Sequence, residues 1–142
     1  KSMSLFLKIT PLLVLLISCQ LEGDLTHNHN SGLVLSDQAR LVYATTFTTT
    51  EGISGVGKAE IYSDRNQFKL RLVDYSIEDG PDLKVYLSQS NTPDSFINLG
   101  NLSRQQIYLL PEGVDFSVYT HVLIHCQQYN HLFAYGALIP QM

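Results

Sequence analysis

The strongest constraint on the fold is a two-residue alternation of apolar and polar side chains that recurs along the chain. It is clearest in residues 67–75, where Phe68, Leu70 and Leu72 alternate with polar or charged residues. Successive side chains of a β-strand point to opposite faces of a sheet, so this period indicates a strand with one buried face.

Eight segments have this strand-like composition and are separated by turns rich in glycine, proline, asparagine and aspartate. They are residues 41–47, 58–63, 67–75, 82–88, 96–99, 106–110, 119–126 and 131–139. Residues 64–66 are predicted to form a hairpin turn. No segment has a convincing helical period. We therefore predict an all-β protein, a single antiparallel β-sandwich of about eight short strands over residues 41–139. The residues expected in its core are Phe68, Leu70, Leu72, Leu83, Val85, Leu87, Val122 and Ile124.

A different pattern precedes the strands. Lys1 and Lys8 give the chain a basic start, and residues 9–17 form an apolar run. This layout is typical of a secretory signal, and the run is too short to span a bilayer as a helix. We interpret residues 1–18 as a signal peptide.

The apolar run ends in Ser18-Cys19, which resembles the bacterial lipobox. The resemblance implies that the Cys19 thiol takes a diacylglyceryl group, that the chain is cut before Cys19, and that the new amino group is acylated. The alternatives are a signal peptide with an incidental cysteine or a core helix. Each buried methylene contributes roughly 0.8 kcal/mol, so several acyl chains would hold the protein on a membrane. We therefore predict a lipoprotein of the bacterial cell envelope, anchored through Cys19 on the periplasmic or cell-surface side.

Residues 19–40 contain the predicted lipidated cysteine and a polar spacer that we interpret as a flexible tether. His27 and His29 in this spacer could bind a metal ion, but two histidines on a tether are more often solvated. The chain from Cys19 onward has seven basic and 13 acidic residues, a net charge of −6 with histidine neutral. This charge argues against nucleic acid as a partner. It also argues against a protein surface that attracts anionic lipid, so the lipid on Cys19 is the expected membrane contact.

The chemistry of the chain is concentrated at the predicted strand 119–126, which ends in Cys126. This is the only cysteine after Cys19, so it has no partner for an intramolecular disulfide in the predicted mature chain. Alternation places Cys126 on the apolar face, and His121 and His125 on the opposite face. Two interpretations remain open. Cys126 is either a small apolar filler at a strand end, or a reactive thiol that forms a mixed disulfide or a sulfenic acid.

One alternative for this region is a mononuclear metal site. Two histidines and a cysteine are the equatorial ligands of a blue-copper centre, and His121, His125 and His131 are close to Cys126 in sequence. Because His121 and His125 point away from the cysteine face, only His131, beyond a short turn, could approach Cys126.

A second alternative is an acidic loop. Its carboxylates are Asp74, Glu78, Asp79 and Asp82. They could serve as general acid and base or bind calcium, although their spacing is not that of an EF-hand, and a solvated turn is the preferred interpretation. We assign no cofactor and keep His131, Asp79 and Asp82 only as weak metal candidates. No nucleophile motif, zinc-protease motif or phosphate loop is present in the sequence, so a classical enzyme is not expected.

Several segments combine into a more specific pattern. They are Phe47, Ser54-Gly55, residues 58–62 and 70–75, the run from Gly80 through Pro81-Asp82-Leu83-Lys84-Val85-Tyr86-Leu87 to Ser88, and residues 99–102, 106–111, 119–126 and 133–138. Together they resemble the DM-thirteen domain, often described as an electron-transfer domain, over residues 41–139. The resemblance implies an all-β fold and a redox role for Cys126. His125 departs from the pattern, because an aromatic residue commonly precedes this cysteine, and it makes the surroundings of Cys126 more polar.

These observations lead to two hypotheses for function. The first is a membrane-anchored envelope lipoprotein whose domain transfers electrons through Cys126, with a protein as its redox partner. The second is a non-catalytic binding or structural module of the bacterial cell envelope.

The lipobox can be tested by metabolic labelling. We expect cells grown with a clickable fatty acid to label the wild-type protein and not Cys19→Ala, because the thiol is the acylation site. Equal labelling of the two proteins would contradict lipid attachment at Cys19.

Overall fold

The computed structural model describes residues 33–103 and 106–142, and these form strands and turns only. The predicted signal peptide 1–18, Cys19 and the predicted tether as far as residue 32 lie outside the described residues. The ten strands are β1 (Arg40–Thr46), β2 (Thr48–Thr49), β3 (Lys58–Asp64), β4 (Gln67–Val73), β5 (Leu83–Ser88), β6 (Phe96–Asn101), β7 (Ile107–Leu109), β8 (His121–Cys126), β9 (His131–Ala137) and β10 (Ile139–Pro140). A search of the described residues for helices able to cross a membrane found none.

The strands form two five-stranded antiparallel sheets, ordered β10-β1-β3-β4-β7 and β2-β9-β8-β5-β6. The predicted all-β sandwich is confirmed, with two very short strands, β2 and β10, in addition to the eight expected. At one point the sheets approach closely. A Cβ on Gly136 of β9 would lie 2.5 Å from Oγ1 of Thr45 in β1, so only glycine fits there.

The apolar faces of the two sheets meet in a single core. Seven of the eight predicted core residues are buried, the exception being Phe68. Phe68 follows the β3–β4 turn at the edge of the core, where it is half-buried against the ring of Phe116, 5.0 Å away between centroids. Burial of a large apolar side chain contributes about 1.5–3 kcal/mol, so these alternating positions dominate the stability of the sandwich.

The β3–β4 hairpin agrees with the sequence prediction, whereas two strand ends differ from it for local reasons. The hairpin between β3 and β4 is the predicted one: Arg65 and Asn66 both have positive φ, 51° and 66°, as a two-residue type I′ turn requires. Asp74, with φ of 48°, stops β4 at Val73 instead of residue 75. The strand predicted from residue 119 begins at His121, because the Tyr119 amide closes a turn by donating to the Asp115 carbonyl at 2.9 Å.

The strand directions define two ends of the sandwich. β3 finishes at Asp64, beside the start of β1, and we call this the Asp64 end. β1 leads through one residue into β2, which pairs with the middle of β9 and runs toward its start. β9 starts opposite Cys126, the last residue of β8. Cys126 therefore lies at the opposite end, which we call the Cys126 end. A seven-residue strand rises about 3.3 Å per residue, so the ends are about 20 Å apart.

A polar cluster fastens the first described residues to the Asp64 end. The Asp64 carboxylate is 1% exposed and accepts hydrogen bonds from Lys69 Nζ at 2.8 Å and from the amide and hydroxyl of Ser36. Lys69 Nζ also donates to the Val34 carbonyl at 2.9 Å. The bonds from Lys69, then those from Ser36, hold the pKa of Asp64 well below its ordinary value.

We expect Asp64→Asn to lower the Tm at pH 7, because the charge paired with Lys69 is lost. A depressed carboxyl pKa stabilises the fold above the unfolded-state pKa of about 3.9, and this stability is lost as pH falls below it. The Tm difference between the two proteins should therefore shrink below about pH 4. Thermal unfolding across this range tests it, with Asp37→Asn, an exposed carboxylate of the same end, as the control. A difference independent of pH would contradict the role of the ionised carboxylate.

Candidate functional site

Cys126 is the last residue of β8, placed between two strands. Its Cα partners are Leu83 of β5 on one side and His131 of β9 on the other. Its side chain is 1% exposed and belongs to the core. Among the described residues it is the only cysteine, and it is free. The next amide, of Gln127, donates to the Asp82 carbonyl at 3.0 Å and so ties the end of β8 to the loop before β5.

An open apolar cleft of about 280 Å³ has Cys126 in its wall. We call it the Cys126 cleft; its lining residues are Ile53, Pro81, Cys126, Tyr129, His131 and Phe133. They come from the loop 50–57, the loop 78–82, the turn 127–130 and the start of β9. Tyr129 is 67% exposed, which places it at the mouth of the cleft. His131 stands edge-on to Phe133, with 5.4 Å between ring centroids.

An irregularity in the β8–β9 pairing brings Phe133 into this cleft. Ile124 pairs with Ala134 and His125 pairs with Leu132, so Phe133 is left without a partner across the ladder. Such a bulge re-aims a side chain. The loop 78–82 packs directly onto the Phe133 ring, because a Cβ on Gly80 would lie 2.9 Å from its Cζ. A side chain at position 80 would have to displace the Phe133 ring, so glycine lets the loop lie against this wall of the cleft.

His125 lies on the opposite face of β8 and is nevertheless buried, with 4% exposure. Its Nε2 is 3.1 Å from the Asn130 Oδ1, which only accepts, so Nε2 carries the hydrogen and Nδ1 is a lone-pair acceptor. Nδ1 is buried and has no hydrogen-bond partner in the described part of the chain. Burial lowers the pKa of His125; the Asn130 bond raises it and nearby His131 lowers it, so the neutral form is favoured.

An aromatic layer lies beside His125 on this outer face. The Tyr86 ring is 5.4 Å from the His125 ring and stacks on Phe96 at 4.0 Å, nearly parallel. Tyr86 is 1% exposed and its strand partner Leu123 is fully buried. The end of β8 is therefore packed on both faces, although alternation alone predicts only one apolar face.

The residues considered for a metal are not brought together. Among the described residues, no group of three or more His, Cys, Asp or Glu side chains is placed to hold a metal ion. His131 shares the cleft with Cys126, whereas His121 begins β8 at the Asp64 end and His125 is on the other face. The blue-copper arrangement considered from the sequence is therefore not assembled.

The acidic loop is engaged with protein groups. Asp82 pairs with Lys84 at 2.8 Å, and Glu78 accepts a bond from the Ser54 hydroxyl at 2.9 Å. Asp79 and Asp82 line a separate open groove of about 270 Å³ next to the Cys126 cleft. Pro81 lines both, and Leu83 of the groove is the strand partner of Cys126. The loop is thus part of the rim around Cys126.

Most of the cleft was not identified from the sequence. Ile53, Pro81 and Phe133 show no chemical signature and are distant from one another along the chain. Tyr129 offered one signal, because an aromatic residue in a four-residue turn between two strands has little core to enter and is expected at the surface.

The chain was compared with known proteins in three ways. A family model described as Electron transfer DM13 matches residues 46–138, more than half of the chain. The matched region includes Cys126 and every loop that lines its cleft. The searches of curated proteins and of solved structures returned no match.

We expect His125→Phe to make the fold less sensitive to acid. A lowered folded-state pKa means that the unfolded chain binds the proton more readily, so the wild type loses stability as pH falls below about 6.5. Phenylalanine keeps an aromatic ring beside Tyr86 and has no ring nitrogen that can be protonated. Tm measured between about pH 8 and pH 5 should fall less for His125→Phe than for the wild type. Val118→Ser, an exposed position without a group that titrates, is the control. Parallel pH profiles for wild type and His125→Phe would contradict the assignment.

Proposed function

Because the chain belongs to the Electron transfer DM13 family, we propose that it is a redox module in which the Cys126 thiol exchanges electrons with a protein partner. The observation that supports this role is the position of Cys126 in the wall of an open cleft at one end of the sandwich. The family supports a redox function in general; the use of Cys126 is our proposal.

The simplest chemistry for a single thiol is thiol–disulfide exchange. The Cys126 thiol loses its proton, and the sulfur attacks a disulfide of one partner. A bond forms between Cys126 and one partner sulfur, while the other partner sulfur leaves and takes up a proton. A second protein with two thiols then cleaves the mixed disulfide and becomes a disulfide itself. Two electrons and two protons pass in total from the dithiol protein to the disulfide protein. Cys19, the other cysteine in the sequence, is predicted to be acylated, so we propose that the resolving thiol comes from another molecule.

The cleft has features that suit this chemistry. Thiolate is the reactive form, and it is favoured by nearby positive charge or hydrogen-bond donors. His131 is placed across the strand pair from Cys126 and lines the same cleft. An imidazole exchanges protons near neutral pH, so His131 is the group that we propose to accept the thiol proton. Since Cys126 is 1% exposed, a partner must first displace the side chains at the cleft mouth, of which Tyr129 is the most exposed.

We also propose that the module works in the bacterial cell envelope, held to a membrane by lipid on Cys19. The support is the sequence around Ser18-Cys19 and the signal-like run before it. In that compartment disulfides form and persist, so a redox partner with a disulfide is available there.

The alternative function is a non-catalytic binding or structural module. One observation favours it: Cys126 is buried and the cleft around it is lined almost wholly by apolar surface, as expected for a side chain that only fills the core. In that case the cleft binds a partner and Cys126 only fills space.

The two functions are separated by alkylation of the native protein. If Cys126 is the redox group, iodoacetamide should modify it at neutral pH under native conditions, as read by mass spectrometry of the peptide, which also separates it from Cys19. His131→Gln should slow this reaction, and Cys126→Ala should keep most of the stability. Alkylation that occurs only on unfolding, together with a loss of about 1 kcal/mol or more in Cys126→Ala from the cavity left, would support the binding module instead.

A further inference from the structure

The Cys126 end carries an apolar centre with an acidic rim. The centre is the Cys126 cleft, and Tyr129 at its mouth is among the most exposed large apolar side chains of the described residues. Glu51 is two residues from Ile53, and Asp79 is two residues from Pro81, so both carboxylates flank lining residues. The side chains of Tyr129, Glu51 and Asp79 are all exposed to solvent.

The charges at this end are unbalanced among the described residues. Asp82 is neutralised by Lys84 through their 2.8 Å ion pair. The exposed charges that remain are four carboxylates and one ammonium group: Glu51, Asp74, Glu78, Asp79 and Lys58. The net charge of these exposed groups is therefore negative, which favours a partner with positive charge around an apolar centre.

The opposite end is where the chain enters the domain. The bonds of Ser36 and Val34 to Asp64 and Lys69 fasten residues 34–36 about 20 Å from the cleft, by the length of the strands. An acidic surface is repelled by anionic lipid. The cleft is also smaller than the cavities of about 300–1,000 Å³ that enclose small ligands. These features favour a macromolecule in solution over a lipid surface or an enclosed small molecule.

We propose that the Cys126 end is a docking surface for a protein segment that presents apolar side chains flanked by lysine or arginine. The apolar side chains enter the cleft beside Tyr129, and the basic residues face Glu51 and Asp79. Tyrosine is a common anchor in such interfaces, and complementary charge at the rim raises the rate of association. The reason for docking rests on the proposed redox function, because a buried thiol reacts only with a partner that is bound over it.

The test uses three fluorescent peptides with the centre Leu-Phe-Ser-Leu, flanked on each side by two lysines, two serines or two glutamates. Their binding to the full-length protein is measured by fluorescence anisotropy. We expect the lysine peptide to bind about tenfold more tightly than the glutamate peptide at low salt, and the ratio to shrink at about 0.3 M salt, where screening is strong.

Matched variants locate the binding. Glu51→Gln combined with Asp79→Asn should reduce the preference for lysine, whereas Asp37→Asn combined with Glu112→Gln, exposed carboxylates outside the rim, should leave it unchanged. Tyr129→Ser should weaken binding of the lysine and serine peptides, and Val118→Ser, an exposed apolar residue elsewhere, should not.

Equal binding of the three peptides, or a preference that the rim variants leave intact, would overturn the proposal. It would also fail if Tyr129→Ser instead abolished self-association or binding to phosphatidylglycerol vesicles, since the occupant would then be a second copy or a lipid surface. The peptides contain no cysteine and form no covalent bond with Cys126, and alkylation of Cys126 is measured in their absence. Docking and thiol reactivity are therefore judged by separate readouts.

Discussion

The burial of two apolar sheet faces against each other is the interaction on which the rest of this structure depends. Val85 of β5 and Val122 and Ile124 of β8 have no exposed surface, and they form the middle of that interface. Cys126 occupies the last position of the same face, so the packing that stabilises the domain also places the thiol. The cleft opens at Cys126 because the sheets end there and loops replace strands as the cover.

The two ends of the sandwich are closed by different kinds of interaction. At one end Asp64 is held by charge and hydrogen bonds, an arrangement with defined geometry. At the other end the cover of Cys126 is apolar and comes from separate loops, and Tyr129 is mostly in solvent. Apolar contacts are non-directional, so such a cover can rearrange around an incoming side chain at lower cost than a network of ion pairs. This contrast explains why a reactive or binding role fits the Cys126 end.

β8 is covered on both faces, as is most of its neighbour β5. Its inner face enters the core, while His125 and Leu123 on its outer face are buried beside Tyr86 of β5. The backbone that carries Cys126 is thus fixed from both sides, and access to the thiol depends on the loops and turns around it. Neutral His125 belongs to this rigid support: a proton on its buried Nδ1 would have no acceptor there.

The sequence by itself determined which residues face inward, because side-chain direction in a strand depends only on position along it. Leu70, Val85 and Ile124 could therefore be assigned to the core in advance, and Cys126 to the same face. It also indicated the β3–β4 turn, since that turn is local. Only the tertiary structure decided what surrounds the thiol. The cleft combines loops far apart in sequence with a bulge at Phe133. Likewise, Asp64 accepts hydrogen bonds from Ser36, which lies 28 residues before it in the chain. Such contacts depend on how strands pair and where their register slips, and no local periodicity encodes that.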